Sequence, residues 1–181
     1  PFRRLPAATI MNQLGAAIAL QADFTLELDA LHVLRANFAD VDYLRIPEPV
    51  TGLCRPDVLV MEYIAGLRRI DAQDDAKTLA ERILKCVYSM LFLHGMVHCD
   101  MHPGNLYLQP NGQLVLLDAG FVVRLDARVR SLFSEFFLYM VRGDGIRCAD
   151  VVRRSAALVP DDADLDSFRE GMVDLISPST R

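Results

Sequence analysis

The chain has 181 residues, 52% of them hydrophobic and 24% charged, which excludes a disordered segment and provides for one sizeable domain. With 19 basic against 24 acidic residues the formal net charge is -5, so the broad basic footprint of a phosphate-backbone binder is excluded and no nucleic-acid partner is expected. A chain of this length buries roughly 70% of the surface of its extended form, enough for a core without disulfides or a structural metal. Cys54, Cys86, Cys99 and Cys148 form no CxxC pair and predict a reducing compartment. Residues 86–97 and 132–141, the most apolar stretches, fall short of the roughly 20 residues that a spanning helix needs. The chain opens on Pro1 with no apolar signal core and reads as part of a longer polypeptide.

In chain order, residues 7–20 are rich in Ala, Leu and Ile, and residues 24–38 space Phe24, Leu28, Leu31, Leu34 and Phe38 for a helix. Pro47 and Pro49 then break regular structure, because each removes a donor and pushes its predecessor to an extended conformation. Residues 58–64, Val-Leu-Val-Met-Glu-Tyr-Ile, predict a buried strand stopped by Ala65-Gly66. A helix is predicted over 74–94 and ends at Gly95. Residues 106–108 and 114–117 predict a hairpin turned at Asn111-Gly112. The remainder predicts helices separated by Gly143-Asp144-Gly145 and Pro160-Asp161-Asp162.

The chemistry concentrates around that hairpin. Asp100 and Asn105 precede its first strand and Asp118 follows its second, so the turn returns Asp118 to the loop that carries the other two. A carboxylate with an amide oxygen is hard-ligand chemistry, suited to Mg²⁺ held together with phosphate oxygens. Asp100, five residues before Asn105, then stands where phosphoryl transfer needs a group that orients a hydroxyl or takes its proton.

Val97-His98-Cys99-Asp100-Met101-His102-Pro103-Gly104-Asn105, followed by Leu116-Leu117-Asp118-Ala119-Gly120, resembles the HxDxHPGN signature and closing DxG of the UbiB/AarF family of atypical protein-kinase-like proteins. Asp23-Phe24 with Glu27 and Asn37-Phe38 resembles that family's D-[FY]-x-x-E and N-F segment, and residues 58–66 resemble its VLVMEYIDG hinge. The resemblance implies an α+β protein-kinase-like fold, mostly the helical C-lobe (71–181), with an incomplete N-lobe and hinge (1–70). It implies ATP and Mg²⁺ as cofactors and a role in ubiquinone biosynthesis. It further implies a lipid, quinone-pathway small molecule or protein as partner, and a cytoplasmic location with peripheral contact at the inner membrane. Residue by residue, it makes Asp100 the catalytic-loop aspartate, Asn105 and Asp118 the metal ligands, and Glu27 the helix-C glutamate that pairs with a nucleotide-binding lysine. The hinge backbone around Met61, Glu62, Tyr63 and Ile64 would face adenine.

The sequence departs from the family pattern at three places. Residues 1–26 contain no lysine, and the two lysines, Lys77 and Lys85, follow the hinge. The family's ExD reads Gln21-Ala22-Asp23, and its DFG reads Asp118-Ala119-Gly120. These departures keep open a pseudokinase that acts through a protein or lipid partner, and the HxDxxxxN spacing also fits an aminoglycoside-phosphotransferase-like kinase. His98 is expected to hold the loop from within the core, and His102 to fix the turn at Pro103-Gly104 as much as to act on a ligand. Glu27 could equally be a solvated charge on its helix. Phe133, Phe136, Phe137 and Tyr139 are expected in a helix core rather than against a membrane.

Overall fold

The computed structural model describes residues 23–160 and 162–176. The expectations for residues 7–20 and for Gln21-Ala22 lie outside the described residues. The chain forms two compact units, one made by Met96–Val123 with the chain up to Val87, the other by Tyr88–Gly95 with the chain from Arg124 onward.

In the first unit, α1 (Phe24–Asn37) starts where the Asp23 carboxylate accepts the Thr25 N–H at 3.0 Å and the Thr25 hydroxyl at 2.6 Å. Ala30, Leu31, Leu34 and, just past the helix end, Phe38 form its buried stripe. α2 (Ala76–Tyr88) is capped in the same way by Asp75, which accepts from the backbone of Lys77 and Thr78. Cys86 on α2 is fully buried, and burial pushes its thiol up to about 11, although a contact from Tyr43 works against the rise.

Four short strands form a sheet ordered β1 (Leu44–Arg45), β5 (Leu114–Leu116), β4 (Leu106–Leu108), β2 (Arg68–Arg69). β1 runs parallel to β5 with Leu44 opposite Leu114, and β4 runs antiparallel to β5 with Tyr107 opposite Val115. Leu114, Val115 and Leu116 are all buried, each such apolar side chain contributing about 1.5–3 kcal/mol. The hairpin turn runs through Pro110 and Asn111 with a bond from Gly112 N–H to Gln109 C=O, and only Gly112 takes a positive φ, +81°. It is therefore a longer loop closed by a left-handed glycine, not a two-residue Asn-Gly turn.

Residues 58–64 correct an expectation. They are extended but form no regular strand. Val60 C=O accepts from Val50 N–H and Glu62 N–H donates to Glu48 C=O, both at 2.8 Å, with isolated bridges at Pro49–Met61 and Arg55–Val58. Only Ile64 is buried, while Tyr63 is 91% exposed. The next donor facing that segment, Glu48 N–H, goes to the Glu62 side chain at 2.9 Å instead of the Glu62 carbonyl, which leaves two backbone bonds in place of a strand.

The second unit opens with a π-helical segment (Ser89–His94) closed by Gly95 at φ +67°. Arg130 Nη2 donates to the freed carbonyls of Phe92 and Leu93 at 3.0 and 2.8 Å. Its helices are α3 (Ala127–Val141), α4 (Gly145–Ser155) and α5 (Leu165–Ile176), with Asp126, Asp144 and Asp164 each accepting a backbone N–H in the first turn. The aromatic residues of α3 are less enclosed than expected. Phe137 meets Phe92 edge-on at 5.4 Å, yet Phe133 is 40% exposed and, with Leu132, Phe136, Val151 and Val152, lines an open apolar cleft of about 230 Å³. The buried line of α3 passes through Leu132, so Phe133 falls to its edge. Among the described residues no helix is long and apolar enough to cross a membrane. β3 (Met96–His98) and β6 (Val122–Arg124) make a separate two-stranded pair on either side of residues 99–121.

Candidate active site

The loop after β3 is organised by His98, 4% exposed. Its Nδ1 accepts the Asp100 backbone N–H at 3.1 Å, and an amide can only donate, so Nε2 carries the proton and donates to the Asp118 carbonyl at 2.6 Å. One buried imidazole thereby fixes the backbone of both carboxylate-bearing residues, the scaffold role expected of it. The Asp100 carbonyl accepts from His102 N–H and from Asn105 Nδ2, each at 3.0 Å. Asn105 is buried, and its own carbonyl accepts from Leu117 N–H at 3.0 Å, which binds the loop to the residue before Asp118.

The structure brings Asp100, Asn105, Asp118 and Glu27 to this one region. The side chain of Asp100 is half exposed, with Asn105 Nδ2 3.4 Å from its Oδ2. Because the Asn105 amide nitrogen faces Asp100, its oxygen is the atom left to meet a hard cation. Asp118 Oδ1 accepts the Gly120 N–H at 2.7 Å. A carboxylate and an amide oxygen suit Mg²⁺ shared with phosphate oxygens, so the donor set present fits the ion. Among the described residues, no group of three or more His, Cys, Asp or Glu side chains is arranged to hold a metal alone, so such an ion would need the Asn105 amide and the phosphates.

Glu27 reaches this region from the first turn of α1. Its Oε1 accepts the Ala119 N–H at 3.2 Å. Burial raises its carboxyl above the ordinary range, the Ala119 bond pulls it back, and the neighbouring Asp118 adds to the rise. It is a half-buried group rather than a solvated charge. Ala119 itself is buried, so a methyl group occupies the place of the family's aromatic.

Residues 61–64 carry a different load. Glu62 accepts from Arg45 Nη2 and from the Glu48 N–H, both at 2.9 Å, with Arg35 Nη1 at 3.8 Å. Burial works against its ionisation, but the Arg45 hydrogen bond, the Glu48 N–H and both guanidinium charges hold its carboxyl below the ordinary range. Arg35 also donates to Ile46 C=O at 2.6 Å. The Glu62 side chain and N–H are thus committed within the protein. Sequence reasoning missed Arg35 and Arg45. The signal was an arginine on a buried helix stripe and another flanked by Leu44 and Ile46, positions where a cation needs a carboxylate partner.

The profile of the ABC1 atypical kinase-like domain matches residues 2–152. Proteins named probable protein kinase UbiB align over most of the chain. That of Histophilus somni is 29% identical over 185 residues, 97% of this chain and 34% of the relative. Those of Vibrio cholerae and Pseudomonas putida are each 30% identical, over 92% and 82% of this chain and 32% and 30% of theirs. The chain therefore spans about a third of the length of these relatives. Among solved structures, a complex of Rv3197 with erythromycin from Mycobacterium tuberculosis superposes with a TM-score of 0.60 at 16% identity, covering 96% of this chain and 46% of that one. The likeness is one of fold.

Proposed function

The chain belongs to the ABC1 atypical kinase-like family, and on that premise we propose that it binds Mg²⁺–ATP and catalyses phosphoryl transfer or ATP hydrolysis in support of ubiquinone or related isoprenoid-lipid biosynthesis. The observation that carries this reading is the tie from His98 to both Asp100 and Asp118, which holds an acceptor-orienting carboxylate and a metal-binding carboxylate in one frame. Asp100 orients the acceptor hydroxyl or water through its exposed carboxylate, and Asn105 locks the Asp100 backbone while presenting its oxygen to the cation. Asn105 and Asp118 hold Mg²⁺, which when bound neutralises phosphate charge. Glu27 steadies the Asp118-Ala119-Gly120 segment, and the hinge over Met61 to Ile64 seats adenine. Such catalysis is positioning plus electrostatics. The residues up to 70 act as partial N-lobe and hinge and those from 71 as C-lobe. A cytoplasmic site of action with peripheral contact at the inner membrane, near a lipid or quinone-pathway partner, completes the proposal.

One observation favours a second reading. Glu27 bonds to the Ala119 backbone, and Ala119 stands where the family's DFG has its aromatic, so a pseudokinase that binds nucleotide without transfer also fits. Phosphate release from radiolabelled ATP separates the two. Turnover abolished by Asp100→Asn and by Asp118→Asn supports an enzyme, whereas turnover absent from the unaltered protein despite nucleotide binding supports the pseudokinase.

A further inference from the structure

His102 has a role in the site that the loop's architecture alone does not use. Its Nδ1 accepts the Gly104 N–H at 2.9 Å, so in the neutral ring the proton sits on Nε2, which lies 3.5 Å from Asp100 Oδ2. Gly104 makes this pose possible by bulk: a Cβ there would lie 2.5 Å from His102 Cε1 and 2.8 Å from Nδ1, so the ring rests where a side chain would be. Both side chains are about half exposed, 53% and 50%, at the mouth of the loop. Asp100 Oδ2 has two nitrogen donors within reach, buried Asn105 Nδ2 at 3.4 Å and exposed His102 Nε2. Catalytic hydrogen bonds are often long in the free protein and tighten once substrate is bound.

We infer that His102 is a positioning residue for Asp100: its Nε2–H orients the aspartate carboxylate from the solvent side so that one oxygen faces the acceptor hydroxyl. This rests on the phosphoryl-transfer reading above. Asn105 fixes the backbone and inner side of Asp100, and His102 fixes the outer side. The acceptor then meets a carboxylate with one rotamer rather than several. The loss belongs in kcat, because His102 acts through Asp100 and not on the nucleotide.

Two substitutions separate the halves of the ring. His102→Asn places an amide oxygen where Nδ1 accepts from Gly104 and removes the donor to Asp100; His102→Gln restores an amide N–H near the position of Nε2. Steady-state ATP turnover is measured for both beside the unaltered protein, with Mg²⁺–ATP affinity measured separately. The expected result is a fall in kcat of about ten- to hundredfold in the Asn variant with KM for ATP unchanged, and recovery of most of it in the Gln variant. An Asn variant with the turnover of the unaltered protein, or equal losses in both variants, overturns the inference while leaving the phosphoryl-transfer reading standing. Absence of turnover in the unaltered protein overturns both.

Discussion

His98 Nε2 donates to the Asp118 carbonyl at 2.6 Å across 20 residues of chain, while the same ring's Nδ1 receives the Asp100 N–H at 3.1 Å. The ring is a buried rivet between the loop that carries Asp100 and the segment that carries Asp118. His98→Ala leaves the part-buried Asp100 N–H and Asp118 C=O without these partners, so a loss of about 1–2 kcal/mol is expected in denaturant unfolding. Loss of Mg²⁺–ATP affinity accompanies it, because Asp118 is freed.

Gly104→Ala is expected to act on function more than on stability. The new methyl group displaces only the exposed His102 ring, which has solvent to move into. Thermal unfolding should shift little, while turnover falls toward that of His102→Asn. A large drop in Tm with normal turnover in the surviving protein would contradict this.

Gly95→Ala tests the second unit. The backbone there has φ +67°, and a Cβ would approach Arg130 Cδ to 2.6 Å, displacing the guanidinium that caps Phe92 and Leu93. Left-handed strain alone costs about 1–3 kcal/mol. Calorimetric unfolding should register at least that loss.

Glu62 sets a pH dependence. Its folded carboxyl titrates below the unfolded value near 4.5, so its stabilisation is fully present above that value and is lost as pH falls through the lower folded one. Arg45→Met removes the strongest partner and should flatten stability between about pH 5 and 3, by roughly 1 kcal/mol or less given that Glu62 is 30% and Arg45 38% exposed. Urea midpoints measured across that range decide it. Glu27 carries the opposite sign, since burial raises its carboxyl, and Glu27→Gln, which keeps an acceptor for Ala119 N–H, should raise Tm at neutral pH.

The sequence made the helices legible where apolar spacing and an acidic N-cap coincide, as at Asp23 with Leu31 and Leu34, and it made the hairpin legible through Pro110 to Gly112. The site motif was legible because Asp100, Asn105 and Asp118 flank that hairpin. The strands β1 and β2 were not, because two residues such as Arg68-Arg69 carry no alternation to read. The apolar run 58–64 misled, since β-rich composition says nothing of where its partner's donors go, and Glu48 N–H goes to the Glu62 side chain rather than into a ladder. The work of Arg35 and Arg45 was hidden for another reason: an ion pair spanning 17 residues, as from Arg45 to Glu62, leaves no local pattern.

The central claim is a Mg²⁺–ATP site built on Asn105 and Asp118. Calorimetric titration of Mg²⁺–ATP into the unaltered protein and into Asp118→Asn tests it most directly, with ATP plus chelator as reference. The account predicts saturable heat that requires Mg²⁺ and disappears in the variant. No heat with the unaltered protein, or equal binding by Asp118→Asn, would contradict it.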